Sequence, residues 1–486
     1  MPRASIPSKR WRAIERRTSM NMAAWAAFIA MGVLAGCASS IRHEALPIPA
    51  LPAAWMTPSS PGASRSDASP PEVAGTASPE AHANRWWNAF GDATLDALIE
   101  EALAKNPDLA LAAIAVYRAQ LQAGLIDAET GPQASASADV EASRRFGADR
   151  IRTSTGVNGT VSYELDLWDK LAARRDEASW RAQASEADRE AAALALIGTT
   201  AQLYWHIGYL NEVIGLLERD IADARRTLTI ARTRVAAGAA SPVERGQAQQ
   251  QLAQLLAEAT RWQQQRESKR NALALLLGGA PERRAQEPTN LLSAVVPEVP
   301  ARLPAAVLAR RPDLRAAQWR VRAQMAQVDF AQASLYPSFA LTSEFGTSSD
   351  MLVRVLQNPV ASVGVALALP FVQWNSVRLN TAVARSDFDR ATLEFQKKLY
   401  QALADVEDAL SAQSHLMAEA VQRDRSLSEA RLVTAVARAR FERGVTGIAP
   451  VLDAQRIEHV AAREQAQVRL ARLENRMALF LALGGG

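Results

Sequence analysis

The sequence predicts a mostly α-helical chain with membrane β-strands, built from two copies of one helix-strand-strand-helix unit. Three observations carry this: a long internal repeat, paired segments with period-two alternation, and helical stretches longer than a globular domain uses. Asn106-Pro107-Asp108-Leu109 is echoed by Arg311-Pro312-Asp313-Leu314, and Pro132 by Pro337, at an offset of 205. Trp168 then matches Trp374, Gly238 matches Gly444, and Leu277-Gly278-Gly279 matches Leu483-Gly484-Gly485, all at 206. A single added residue across the whole repeat marks a duplicated unit.

In chain order, the first element is an export signal over residues 1–36. Arg3, Lys9, Arg10, Arg12, Arg16 and Arg17 precede an apolar run from Met20 to Ala35 that is too short to span a bilayer comfortably. The run ends in Leu34-Ala35-Gly36-Cys37, which resembles the lipobox of bacterial lipoproteins. Cys37 is the only cysteine, so it forms no intramolecular disulfide, and a covalent lipid on its thiol is the expected modification. Ala38 follows it, not the Asp that the resemblance associates with inner-membrane retention.

The six basic residues of the signal outweigh Glu15 and account for the formal charge of +4, leaving the rest of the chain close to neutral. Nucleic-acid binding, which needs clustered excess Lys and Arg, has no electrostatic support. Residues 37–85 carry eight prolines among Ser, Ala and Thr and read as an extended tether. The composition of the whole chain, 48% hydrophobic but only 6% aromatic, favours long, closely packed helices.

The two copies occupy residues 86–280 and 301–486, joined by a linker over 281–300. Pro107 and Pro312 suit the first turn of a helix, where a missing N–H costs nothing; Asn106 is a good N-cap and Arg311 is not. These helices end before Pro132 and Pro337. Strands follow. Ala134, Ala136, Ala138 and Val140 alternate with Ser135, Ser137 and Asp139; Val157, Val161, Tyr163 and Leu165 alternate with polar neighbours; Phe339, Leu341 and Phe345 share one face, as do Val363, Val365, Leu367 and Leu369. About ten residues each is enough to cross a membrane when tilted.

Residues 376–443 contain neither glycine nor proline, and Phe388, Phe395, Ala402, Ala409 and Leu416 recur every seven residues, as in coiled coils. In the first copy Gly198, Gly208 and Gly215 predict a less uniform helix. Hairpin tips are expected at Gly238-Ala239-Ala240-Ser241 and Gly444-Val445-Thr446-Gly447, with Pro242 and Pro450 starting the return helices. Four strands cannot close a barrel, and an unpaired edge is intolerable in lipid, so copies of the chain must share one. Counting alone allows two or three.

Arg85-Trp86-Trp87-Asn88-Ala89-Phe90-Gly91-Asp92 with Leu95, the Asn-Pro-Asp-Leu start, Tyr163-Glu164-Leu165-Asp166-Leu167-Trp168-Asp169, and Leu452-Asp453-Ala454-Gln455 together resemble the TolC-like outer membrane factor family, in its lipid-anchored NodT-type branch. The resemblance covers Arg85 to Gly486. It implies a homotrimer with a 12-stranded β-barrel continuous with a long periplasmic α-helical barrel. It further implies an exit duct for drugs or other small molecules, engaged by a periplasmic adaptor and fed by an inner-membrane pump of RND type.

Asp453 matches the aperture carboxylates of the family, and the two tips are the expected adaptor-docking surface. The plainer reading of Asp453 is an exposed first-turn residue stabilising the helix that starts near Pro450. Trp86 and Trp87 are read as packing residues, Trp168 and Trp374 as interfacial anchors or core, and Asp405, Glu407 and Asp408 as a solvated helix face.

The chain has no phosphate loop, HExxH, GxSxG or GxGxxG, and its five histidines lack ligand spacing, so no enzyme, cofactor or metal is expected beyond the lipid on Cys37. Two rivals stand: the outer component of a type I protein-secretion system, and a periplasmic coiled-coil scaffold whose strands are misread loops. The lipobox and tether favour small-molecule efflux.

Overall fold

A computed structural model describes residues 83–144, 146, 151–297, 305–349 and 359–485. The signal segment, Cys37 and the tether as far as residue 82 lie outside the described residues. The first copy comprises α1 (Ala93–Lys105), α2 (Pro107–Thr130), β1 (Gln133–Arg144), β2 (Ile151–Leu165), α3 (Lys170–Ala236) and α4 (Pro242–Leu276). The second comprises α5 (Pro312–Ala333), β3 (Ser338–Ser349), β4 (Pro359–Ala368), α6 (Trp374–Glu442) and α7 (Ala449–Ala482). The fold class is the one the repeat predicts, with α1 as an addition.

Helix α1 exists because Asp92 caps it: Oδ1 accepts from the backbone N–H groups of Thr94 and Leu95 at 3.0 and 3.2 Å. The other carboxylate oxygen accepts the Tyr204 hydroxyl at 2.8 Å, which fixes the arm to α3. Burial and the adjacent carboxylate push the Tyr204 phenol well above its ordinary value, so it stays a donor. Trp86 stacks on Phe480 of α7 with ring centres 5.3 Å apart, and Trp87 and Phe90 are buried in the same core as Leu95, Ile99, Trp205 and Met477. Both tryptophans are packing residues.

At 67 residues, α3 is one unbroken helix of about 100 Å. Its glycines do not weaken it into segments; two of them admit neighbours. A Cβ at Gly198 would meet Leu481 at 2.5 Å, and one at Gly208 would meet Pro288 and Leu291 of the inter-copy connection at 2.8 and 2.9 Å. The 69-residue α6 carries the predicted heptad, with Leu399, Ala402, Val406 and Ala409 buried against Leu479 and Ala482. Thr392, which interrupts the apolar series, is accommodated by donating its hydroxyl to Phe388 O at 3.0 Å.

Shorter helices stack end to end. Asn106 caps α2 by accepting from Leu109 N–H at 3.0 Å while its Nδ2 donates to Leu276 O, the last residue of α4, also at 3.0 Å. Arg311, a poor cap, does the equivalent work differently: its guanidinium donates to Ala482 O at the end of α7 (3.3 Å), to both oxygens of Asp313 (3.1 and 2.9 Å) and to Asp405 of α6 (3.1 Å). The solvated-face reading is therefore corrected for Asp405, which is tied to a mostly buried arginine. Burial alone would raise Asp313, but the paired bonds from Arg311 hold its carboxyl below the ordinary range.

Four columns result, side by side: α4 continued by α2, then α3, then α7 continued by α5, then α6. The strands follow the same order. A single antiparallel sheet runs β1-β2-β3-β4, with β2 and β3 joining the two copies.

Candidate functional site

The sheet has two unlike faces. Cross-strand register aligns Ser135, Asp139, Asn158, Thr160 and Glu344 on one side, and Ala138, Val140, Val161, Leu341 and Val365 on the other. Two glycines make room on the polar side: the Asp139 carboxylate lies over its cross-strand partner Gly156, and the Asn158 amide over Gly346. The apolar side is uncovered, with Val363 and Val365 exposed by 76% and 71%. An apolar face across four strands of 10 to 15 residues, backed by a face whose polar side chains lie mainly on β1, β2 and β3, is the pattern of a barrel wall with lipid outside and water inside.

Neither that wall nor the helical slab is closed within one chain. β1 and β4 each pair on one side only, and the outer columns, α4 with α2 and α6, each have one open flank. Where they adjoin the sheet the open flanks are apolar: α2 exposes Leu111, Ile114, Tyr117 and Leu121, and α6 exposes Leu379, Val383 and Leu393, whereas α4 exposes mostly polar side chains such as Gln250 and Gln254. By length and composition α2 is the one helix among the described residues that is apolar enough to cross a membrane. Its tie to α4 through Asn106 makes it part of a column instead.

At the far end of the columns, both predicted tips are built alike. Gly238 and Gly444 take positive φ (69° and 74°), and the residue after each, Ala239 or Val445, donates back to Arg234 O or Arg440 O at 2.8 and 2.9 Å. Ser241 then caps α4 through Val243 N–H; Gly447, its counterpart, has no side chain to do so. The tips lie against each other. Phe441, Ile448 and Val451 of the second are buried with Leu228, Ala231 and Ala248 of the first, and the Arg234 guanidinium sits 4.9 Å over the Phe441 ring. Ala240 and Thr446 complete the two turns.

Asp453 lies just beyond the second tip with its side chain 73% exposed, and its nearest cation is Arg456 at 3.8 Å. It is the fifth residue of α7, past the first turn where a carboxylate best complements the helix dipole. That position weakens the plainer reading. Polar side-chain contacts join the two copies along α3 and α7: His459 with Asp220 at 2.9 Å, His206 with Glu474 at 2.9 Å, and the ion pair of Arg469 with Glu212 at 3.1 Å. The sequence did not signal these, because each links positions more than 200 residues apart. Trp168 and Trp374, matched in sequence, differ in place: the first donates its indole N–H to Pro337 O and stacks on Tyr336, while the second is 58% exposed.

The family described as "Outer membrane efflux protein" matches residues 98–279 and 303–485, one segment for each copy. The chain belongs to the outer membrane efflux protein family. It is similar to the pyoverdine export outer membrane protein OpmQ of Pseudomonas putida, at 29% identity over 90% of this chain and 92% of that protein. Similarity to the outer membrane protein OprJ of Pseudomonas aeruginosa is 30%, covering 82% and 86%. Among solved structures, the open state of the Neisseria gonorrhoeae MtrE outer membrane channel superposes with a TM-score of 0.75 at 27% identity, covering 81% of this chain and 89% of that one. As a member of this efflux family the chain is an outer membrane channel protein whose strands cross the membrane and whose helices extend into the periplasm.

Proposed function

We propose that three copies of this chain close one passive exit duct, through which an inner-membrane pump of RND type expels small molecules by way of a periplasmic adaptor. The observation that carries this is the coincidence of open edges: the sheet and the helical slab are both incomplete on the same two sides, so one head-to-tail contact closes both. Three copies give twelve strands and twelve columns around one polar lumen. The energy for transport comes from the pump, since the duct itself contributes only a wall.

The hairpin tips, Gly238 to Ser241 and Gly444 to Gly447, are the adaptor-docking surface, six per trimer. Opening involves parting the tips. Glu244 Oε2 and Thr446 Oγ1 are buried there without a hydrogen-bond partner, and exposing them to water offsets part of the cost of separation. Asp453, in a ring of three, draws cations to the aperture. A lipid on Cys37, spaced by the proline-rich segment, anchors the assembly to the outer membrane.

Charge substitutions at Val445 and Thr446 are expected to abolish export of a dye or drug from cells while leaving the oligomer intact; unchanged export would remove the docking assignment. In planar bilayers, Asp453→Ala is expected to reduce cation preference, and an unaltered reversal potential would count against the aperture role. Export of a protein instead of small molecules by the same gene would favour the secretion reading.

A further inference from the structure

Two histidines face carboxylates across the same line of contact. His206 Nε2 lies 2.9 Å from Glu474 Oε1, and His459 Nε2 lies 2.9 Å from Asp220 Oδ1. Both pairs run between α3 and α7, so both join the first copy to the second, at levels about 20 Å apart along the helices. Neither is inherited from the duplication: a shift of 206 places Ala412 at the counterpart of His206 and Ala253 at that of His459. The two differ in setting. His206 sits between Trp205 and Ile207 of the core that holds the arm, and Glu474 follows Leu473 of the same core.

His459 lies nearer the tips, in a set of ties between the hairpins. There α6 and α7 are held on α3 and α4 by Arg438–Asp223 at 2.6 Å, by His459–Asp220, and by Arg463–Glu258 at 3.0 Å. The side chains of His459 and Asp220 are only 16% and 20% exposed, in a groove that Val213, Leu217, Leu255 and Val460 also line. The charged groups of that groove are Asp220 from α3, Glu258 from α4, and Arg456 and Arg463 from α7. From α6, Arg438 is taken by Asp223, and Arg431 comes to 4.0 Å from Glu458, the residue before His459. Arg463 is taken by Glu258 and Arg456 lies beside Asp453, which leaves Asp220 to the imidazole.

Of the side-chain types in these ties, only imidazole changes charge between about pH 5 and 8. Neutral, it shares a hydrogen bond with Asp220; protonated, it makes an ion pair at the same distance, screened less than on an open surface. Resting on the reading that opening parts the hairpins, we infer that His459 and Asp220 form a pH-sensitive latch, tightened in acid and released at neutral pH. The added stability is full where the imidazole is charged and is lost as pH rises through its titration.

The full-length protein in planar bilayers, at pH 7.5 and 5.5, tests this. The open fraction is expected to be at least about twofold lower at pH 5.5, one ion pair per chain being worth up to about fivefold. His459→Gln, which keeps a hydrogen-bonding side chain without the charge, and Asp220→Asn are each expected to abolish that difference. His206→Gln is expected to retain it, because α3 and α7 stay packed at the arm core. Equal open fractions at the two pH values, an acid effect that survives both substitutions, or one lost equally in His206→Gln overturns the latch. Thermal unfolding separates this from the reading beneath it. The unmodified protein should exceed His459→Gln in midpoint more at pH 5.5 than at 7.5, by about 1–2 °C. If that excess is found while the current ignores pH, the pair ionises as described but opening does not part these hairpins, and both readings fall. Without the excess, the latch alone falls.

Discussion

Arg311 shows how one side chain replaces a motif. At the equivalent point of the first copy a short amide caps the helix and grips the end of α4, the helix it continues; here a guanidinium spans three partners instead. Arg311→Ala is expected to cost about 1.5–3 kcal/mol, the range for lost charge-assisted hydrogen bonds. Arg311→Asn should cost less, because asparagine does the same work at position 106. Thermal unfolding of the two variants checks the order. Asp313 is held below the ordinary carboxylate value, so its contribution is complete above about pH 4 and is lost as pH falls through the lower folded value. Removing Arg311 should therefore flatten the acid limb of the stability profile below about pH 4, and an unchanged limb would contradict the pairing.

Glycines sort by the same scale of detail. Gly238 and Gly278 both have positive φ, but a Cβ at Gly238 meets nothing while one at Gly278 collides with Lys105 O at the column junction. Gly238→Ala is expected to cost about 1 kcal/mol, the ordinary penalty of that conformation. Gly278→Ala should cost clearly more, and equal unfolding midpoints would show that the junction is looser than drawn.

At the scale of elements, the strands, the long helices and the glycine turns were legible because each leaves a local trace: alternation for strands, uninterrupted length and heptads for helices, glycine followed by proline for turns. Helix α1 was not. Its 13 residues are too short for periodicity to stand out, and its cap, Asp92, sits inside the tryptophan motif that drew attention to packing. The glycines of α3 read as marks of a less uniform helix because the residues that need the space at Gly198 and Gly208, namely Leu481, Pro288 and Leu291, lie far along the chain. The Arg311 and Arg234 contacts were hidden for the same reason. A prediction belongs here: Ile114→Glu with Leu121→Glu puts charge on the open flank of α2 and should abolish the oligomer while leaving the helical circular dichroism signal nearly unchanged. Loss of helicity would mean that this face is needed within the chain.

For the whole molecule, duplication explains both the fold and its incompleteness. Two copies joined through β2 and β3 make a wall segment with one open flank at each end, polar on one side of the sheet and apolar on the other. Such a segment has no finished core at its edges and no finished barrel alone, and only more of the same chain fits both flanks in register. The sequence made sharing of the barrel unavoidable; the number of copies came only from family resemblance, since strand counting satisfies a dimer as well. Native mass spectrometry of the protein extracted from outer membranes in mild detergent tests this most directly. Ring closure predicts a single species of three chains; a predominant monomer or dimer would contradict it.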